Sequence, residues 1–156
     1  MQDLNEKYMK IALKEAEKAY KIEEVPVGAV IVKDGKIIAK AHNKKETKKS
    51  AIEHAEILAI QKASKKLGNW RLEGCSLYVT LEPCSMCAGA IIQARISQLY
   101  IGTGDEKTGA CGSVLNLLED YKFNHIVQVN KYILQEDCKN ILQDFFKMLR
   151  NKKGEK

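Results

Sequence analysis

The chain has 156 residues, 45% of them hydrophobic and 29% charged, with a formal net charge of +6. That length argues for one domain over residues 1–156, and that composition supplies a real core, which excludes a disordered chain. The basic excess suits a polyanionic partner and equally suits a lysine-rich solvated surface. Five cysteines, two of them in one C-x-x-C, argue against a secreted disulfide framework. No apolar run approaches the ~18 residues of a membrane span. The charged N-terminus lacks the apolar stretch of a signal peptide. A cytoplasmic protein with no membrane contact is expected.

Leu4, Tyr8, Ile11, Ala12, Ala16, Ala19 and Ile22 recur at steps of three and four, which predicts an amphipathic helix with one buried stripe. Residues 25–32 are apolar and β-branched and run into Lys33-Asp34-Gly35-Lys36. Asp-Gly between two apolar runs signals a hairpin, with residues 37–41 as the returning strand. Pro26 stands at the start of the first strand, where a missing N–H does least harm, and Gly28 inside it implies a close approach to the backbone, by a packed helix or by something else. His42 reads as a strand-end histidine. Asn43 reads either as a turn residue or as an amide that meets a base edge. Residues 44–50 form a polar, mostly positive loop.

Ser50 with Glu53 three residues later resembles a capping box. It predicts a helix that carries His54 in its first turn, buries Ile57, Leu58, Ile60, Ala63 and Leu67, and stops at Gly68. Glu56 then lies about 200° around the helix from His54, so it would approach a metal on His54 from the side. Trp70 reads as a packing anchor. Residues 75–81 alternate as a strand and lead into Glu82-Pro83-Cys84. Pro83 just inside a helix start puts Cys84 and Cys87 one turn apart on one face, where the helix N-terminus favours thiolate. Residues 96–101 are the next strand, giving a parallel strand–helix–strand crossover. Residues 102–112, GTGDEKTGACG, contain no phosphate-loop motif and read as a mobile rim with Asp105 and Lys107 as candidate contacts. Val114, Leu115, Leu117 and Leu118 predict a short helix and residues 125–129 a last strand. Residues 134–150 predict an amphipathic helix bearing Phe145-Phe146, followed by a basic tail about 151–156.

The chemistry concentrates in His54-Ala55-Glu56 and Pro83-Cys84-Ser85-Met86-Cys87. One imidazole and two thiolates can hold zinc with the fourth tetrahedral position open, as a catalytic zinc requires. Such an ion acidifies a water toward pKa ~7, and Glu56 can move its protons. Taken singly, a helix histidine is usually structural, and a C-x-x-C after a strand is as often redox-active as metal-binding. The two half-motifs in this order, with Pro83 before the first cysteine, are the pattern of zinc nucleobase deaminases. Cys75, Cys111 and Cys138 read as small buried residues, although any of them could close the zinc as a fourth ligand and make the site structural. Rival readings are a deaminase of a free base or nucleoside, a thiol–disulfide protein, and a non-catalytic RNA-binding zinc module.

From about Tyr8 to Arg150 the chain resembles the bacterial tRNA-specific adenosine deaminases, a branch of the cytidine deaminase-like superfamily. The resemblance rests on the zinc motif and on Val25-Pro-Val-Gly-Ala-Val, Asn43, Leu77-Tyr-Val-Thr-Leu-Glu-Pro-Cys, Met86-Cys-Ala-Gly-Ala, Asp105 with Lys107-Thr-Gly, Asn124-His125 and Asp144-Phe-Phe-Lys-Met. It implies a three-layer α/β/α sandwich around a five-stranded mixed sheet, a homodimer, one zinc ion per subunit, and conversion of the wobble adenosine of an arginine tRNA to inosine. By position, it implies that His54, Cys84 and Cys87 hold zinc and Glu56 shuttles protons. Asn43 would contact the nucleotide. The backbone around Val27, Gly28 and Ala29 and around Leu81, Glu82 and Pro83 would wall the base pocket. Asp105, Lys107, Phe145 and Arg150 would meet the tRNA anticodon stem-loop. The family usually has a small residue just before the zinc histidine. Glu53 stands there, and it is expected to point away from the metal.

Overall fold

The computed structural model describes residues 2–154. The order of elements is α1 (Gln2–Lys21), β1 (Gly28–Lys33), β2 (Lys36–His42), α2 (Ala55–Leu67), β3 (Cys75–Leu81), α3 (Ser85–Gln93), β4 (Gln98–Thr103), β5 (Gln128–Lys131) and α4 (Gln135–Gly154). The five strands form one sheet in the order β2-β1-β3-β4-β5. β1 is antiparallel to β2 and β3, while β3, β4 and β5 run parallel. The sheet is therefore mixed, as expected.

Alternation along the strands divides the interior into two cores, because successive side chains leave a strand on opposite faces. Ala29, Ile31, Leu77 and Val79 join Leu58 and Ala59 of α2 and Ala88 and Ile91 of α3 in one cluster. Val30, Val32 and Tyr78 join Tyr8, Met9 and Ala12 of α1 and Cys138 of α4 in the other. Helices thus cover both faces, and the three layers follow from a period of two in the strands set against amphipathic helices. The β1–β2 turn has positive φ at Asp34 (51°) and Gly35 (74°), the signature of the tight hairpin that Asp-Gly favours.

The close approach at Gly28 is made by α1. A Cβ on Gly28 would overlap the carbonyl oxygen of Ala12 and press on the Ala16 amide and Glu15 Cβ. The approaching atoms are helix backbone, which cannot rotate away. Gly28→Ala is therefore expected to destabilise the fold by about 1–3 kcal/mol, the cost of overpacking, read as a lower denaturation midpoint with an unchanged slope.

Four expectations are corrected. Residues 114–118 are not helical; they form turns closed by a bridge between Cys111 and Asn116, because Gly112 at φ 132° and the backbone bonds from Val114 and Leu115 to the Gly109 carbonyl fold the segment back on itself. The last strand begins at Gln128, and His125 instead places Nε2 2.7 Å from the Ile96 carbonyl oxygen. Trp70 is 56% exposed, its ring flanked by the guanidinium groups of Arg71 and Arg95 at 4.9 and 5.7 Å. β1 begins at Gly28, so Pro26 precedes the strand. Of the basic tail, α4 includes Lys152 and Lys153, and Lys156 lies outside the described residues. No helix among the described residues is long and apolar enough to cross a membrane.

Candidate metal centre

Two helices begin at the same point in space, and the residues that begin them carry donor atoms that could hold a metal ion. His54 is the N-cap of α2 with extended backbone (φ −82°, ψ 153°), and Cys84 is the N-cap of α3 (φ −75°, ψ 177°). The capping box at Ser50 does not form, and Pro83 stands before the cap and not inside the helix. The reason is that the N-cap positions are taken by His54 and Cys84, which face each other across the site. Each brings a helix N-terminus, with its partial positive charge, to the place where thiolate charge collects.

His54 Nδ1 lies 3.7 Å from Cys84 Sγ and 3.5 Å from Cys87 Sγ, and the three donor atoms all fall within 4.8 Å of one another. Zinc bonds of about 2.3 Å to sulfur and about 2.0 Å to nitrogen, at tetrahedral angles, put sulfur and nitrogen about 3.5 Å apart. The spacing and the mixed sulfur–nitrogen set both fit zinc, with Nδ1 as the ligating nitrogen. Among the described residues no fourth His, Cys, Asp or Glu joins the group. Cys75, Cys111 and Cys138 stay apart from it, and all five thiols are free, with no Cys84–Cys87 disulfide. Glu53 is not part of the group either; its Oε2 is buried without a partner.

The electrostatics match. Hydrogen bonding from Cys87, and next from His54 against the opposing effect of burial, holds the Cys84 thiol down at about 4. Cys87 is pushed up by the hydrogen bond it gives Cys84 and by burial. Metal binding to such a pair requires both sulfurs as thiolates and so releases protons. The hydrogen bond with Cys84 raises His54. Glu56, in the first turn of α2 and 3% exposed, is pushed up to about 7 by burial. A carboxyl group in that range can both take and give a proton near neutral pH.

The other expected residues are placed as follows. Asn43 bridges two segments: Oδ1 accepts from the Ala55 N–H at 2.8 Å and Nδ2 donates to the Val25 carbonyl at 3.1 Å. It therefore supplies α2 with the amide partner that His54 does not, and one lone pair and one N–H of its side chain remain. Val27 and Ala29 are buried on the α2 side of the sheet, and the Gly28 N–H donates to Thr80 Oγ1 at 3.1 Å. Leu81 is half-buried; Glu82 and Pro83 are buried. Asp105 turns its carboxylate onto its own loop, accepting from the Lys107 and Thr108 amides at 3.0 and 3.2 Å and from Thr108 Oγ1 at 2.7 Å. Lys107 and Arg150 are exposed. Phe145 is 1% exposed and packs edge-on against Tyr20, so the ring that α4 turns outward is Phe146.

One positioning group left no readable trace in the sequence. Glu24 is 1% exposed and accepts from the Glu46 and Thr47 amides at 3.0 and 2.5 Å and from Thr47 Oγ1 at 2.6 Å. It pins the lysine-rich loop beside the metal centre. Burial pushes its carboxyl up, but the hydrogen bonds from Thr47 and from the Glu46 amide outweigh burial and hold it below 4.5. A depressed folded pKa stabilises the fold at pH above the unfolded value, and that contribution is lost as pH falls through the folded value. Glu24→Gln is expected to lower stability at pH 7 and to flatten the acid loss below about pH 4.5, checked by denaturant titrations from pH 3 to 7.

Comparisons with known proteins agree with this geometry. The family model for MafB19-like deaminases matches residues 4–150. A tRNA-specific adenosine deaminase from Bacillus subtilis (strain 168) is 52% identical over 149 residues, covering 96% of this chain and 92% of its own. A solved structure from work on A-to-I editing by tRNA:A34 deaminases at the wobble position superposes with a TM-score of 0.84 at 42% identity, covering 86% of this chain and 98% of its own. A guanine deaminase from Nitrosomonas europaea shares the fold, with a TM-score of 0.76 at 23% identity, over 90% of this chain and 83% of its own. A three-donor zinc site at two helix starts, a family match over nearly the whole length and identity above one half lead to one assignment: the chain belongs to the MafB19-like deaminases and, within them, to the family of the tRNA-specific adenosine deaminases.

Proposed function

We propose that this chain hydrolytically deaminates adenosine to inosine at the wobble position of a tRNA anticodon, an arginine tRNA by the resemblance already described. The observation that carries the chemistry is the buried Glu56 carboxyl beside a His54–Cys84–Cys87 group with no fourth protein donor among the described residues. The substrate rests on 52% identity to a tRNA-specific adenosine deaminase.

His54, Cys84 and Cys87 would hold the zinc, which would supply the Lewis acidity that activates a water. Glu56 is placed to take a proton from the attacking water and deliver it to N1 of the purine, making C6 electrophilic. The water oxygen adds to C6, the same carboxyl group carries the proton of the added hydroxyl to the amine, and the C6–N bond breaks to release ammonia and leave the C6 carbonyl of inosine. Burial keeps bulk water from competing for these protons. The anticodon loop already holds its bases partly unstacked, so an adenosine can be splayed out at little cost. Its backbone meets cationic side chains: Lys44, Lys45, Lys48 and Lys49 on the loop latched by Glu24, with Lys107 and Arg150 as further contacts.

Exposed apolar side chains at Val114, Leu115, Tyr121, Phe123 and Ile126, the last 84% exposed, support a homodimer, and a tRNA substrate supports a cytoplasmic location. The test is turnover of an anticodon stem-loop carrying wobble adenosine, set against free adenosine, adenine, guanine and cytosine. Inosine in the stem-loop supports the proposal. Turnover of the free compounds alone removes it.

A further inference from the structure

The glycine-rich segment after β4 is not a loose rim. It is wrapped around one carboxylate. Glu82, at the end of β3, is 6% exposed. Its Oε1 accepts from the Asp105 N–H at 3.1 Å and from the Ser113 hydroxyl. Its Oε2 accepts from the Cys111 and Ser113 amides at 2.9 and 3.1 Å. The Glu82 N–H in turn donates to the Thr103 carbonyl at 2.8 Å, and the Ala110 N–H donates to the Pro83 carbonyl at 2.9 Å.

Two glycines of this segment, Gly104 and Gly109, abut the same carboxylate. A Cβ on Gly109 would overlap Glu82 Oε2 and Cδ, and one on Gly104 would lie 3.3 Å from Glu82 Oε1. Four donors converge on two oxygens, which a carboxylate satisfies and an amide cannot. Whichever way a glutamine side chain turned, its NH2 group would face two of the donors.

We propose that Glu82 is a positioning residue: its carboxylate is the template on which residues 104–113 fold, and it couples the turn that carries Cys84 and Cys87 to the loop that carries Asp105 and Lys107. The RNA part of this inference rests on the function proposed above; the template itself does not. A loop held in this way presents its outward groups to RNA already ordered, so the binding step need not supply the ordering entropy.

The experiment uses the full zinc-loaded chain with Glu82→Gln, followed by amide hydrogen exchange and by steady-state kinetics on the anticodon stem-loop. Zinc is expected to stay at one per chain. Exchange at Asp105, Cys111 and Ser113 should speed up by about tenfold or more, because charge-assisted bonds are lost from a local opening unit. KM for the stem-loop should rise by about tenfold while kcat stays within about threefold, the pattern of lost binding with intact chemistry.

Unchanged exchange at those amides overturns the template, and loss of zinc overturns the loop-positioning role by making Glu82 a support of the metal site. A fall in kcat at unchanged KM overturns the positioning role. If Glu82→Gln does not fold, Ser113→Ala decides. Its side chain is exposed, its hydroxyl is one of the four donors, and unaltered exchange at Asp105 in that variant refutes the inference. A wild-type chain inactive on the stem-loop removes the proposed function, while the exchange data still decide the template.

Discussion

Replacing Glu56 with alanine should lower inosine formation by about 10²–10⁴-fold or more, the range general acid–base groups contribute, with zinc and RNA binding retained. Glu56 lies in the first turn of α2, next to the N-cap position of His54, yet its carboxyl is not one of the three grouped donors. Removing it leaves the ligand set intact. It does remove the one buried carboxyl group at the site that sits at about 7, the range from which one group can serve both proton transfers. Glu56→Gln should be equally inactive, because the amide keeps the shape and cannot carry the proton. The assay is single-turnover inosine formation on the stem-loop, with zinc measured on the same preparation. A variant that stays active with full zinc would assign proton transfer to another group. A variant that loses zinc would make Glu56 a ligand and not a carrier.

Cys87→Ala should cost the metal itself. Cys87 is fully buried in the first turn of α3, and its sulfur is one of three donors. Loss of an outer-shell partner alone costs roughly 10–100-fold in metal affinity, and loss of a ligand should cost more. The chain should be isolated with well under one zinc, no inosine formation and a lower Tm, since metal binding to the folded state is also folding free energy. Cys75→Ala, Cys111→Ala and Cys138→Ala are the controls. Burial pushes the Cys111 and Cys138 thiols up to about 12, the mark of inert structural cysteines, so all three should keep one zinc per chain. Stoichiometric zinc in Cys87→Ala would displace the proposed ligand set.

The features legible in the sequence are those with a period or a motif. The period of two in residues 75–81 gave a strand with the predicted bounds. Asp34-Gly35 gave its hairpin, and Gly68 ended α2 in the left-handed conformation. The motifs whose His54, Cys84 and Cys87 donors come together could be read because their residue types are rare in that combination. Their local setting could not. A Ser50 cap was expected on general preference, but the helix start is defined by His54 and its partner Asn43, whose side chain reaches Ala55 across twelve positions. Residues 104–113 could not be read because their order comes from Glu82, more than twenty positions earlier. Hydrogen bonds from side chain to distant backbone leave no periodic trace, and the same reason hides Glu24 under the lysine loop. Helical spacing at Val114, Leu115, Leu117 and Leu118 misled for the opposite cause: four apolar residues match a helix, and the backbone bonds to Gly109 override them.

Zinc X-ray absorption on the purified chain tests the metal centre directly. The geometry predicts two sulfur neighbours at about 2.3 Å and two nitrogen or oxygen neighbours at about 2.0 Å, one of them a histidine nitrogen and the other exchangeable. A third sulfur in the shell would mean that a further cysteine closes the ion, and a sealed structural zinc would contradict the account.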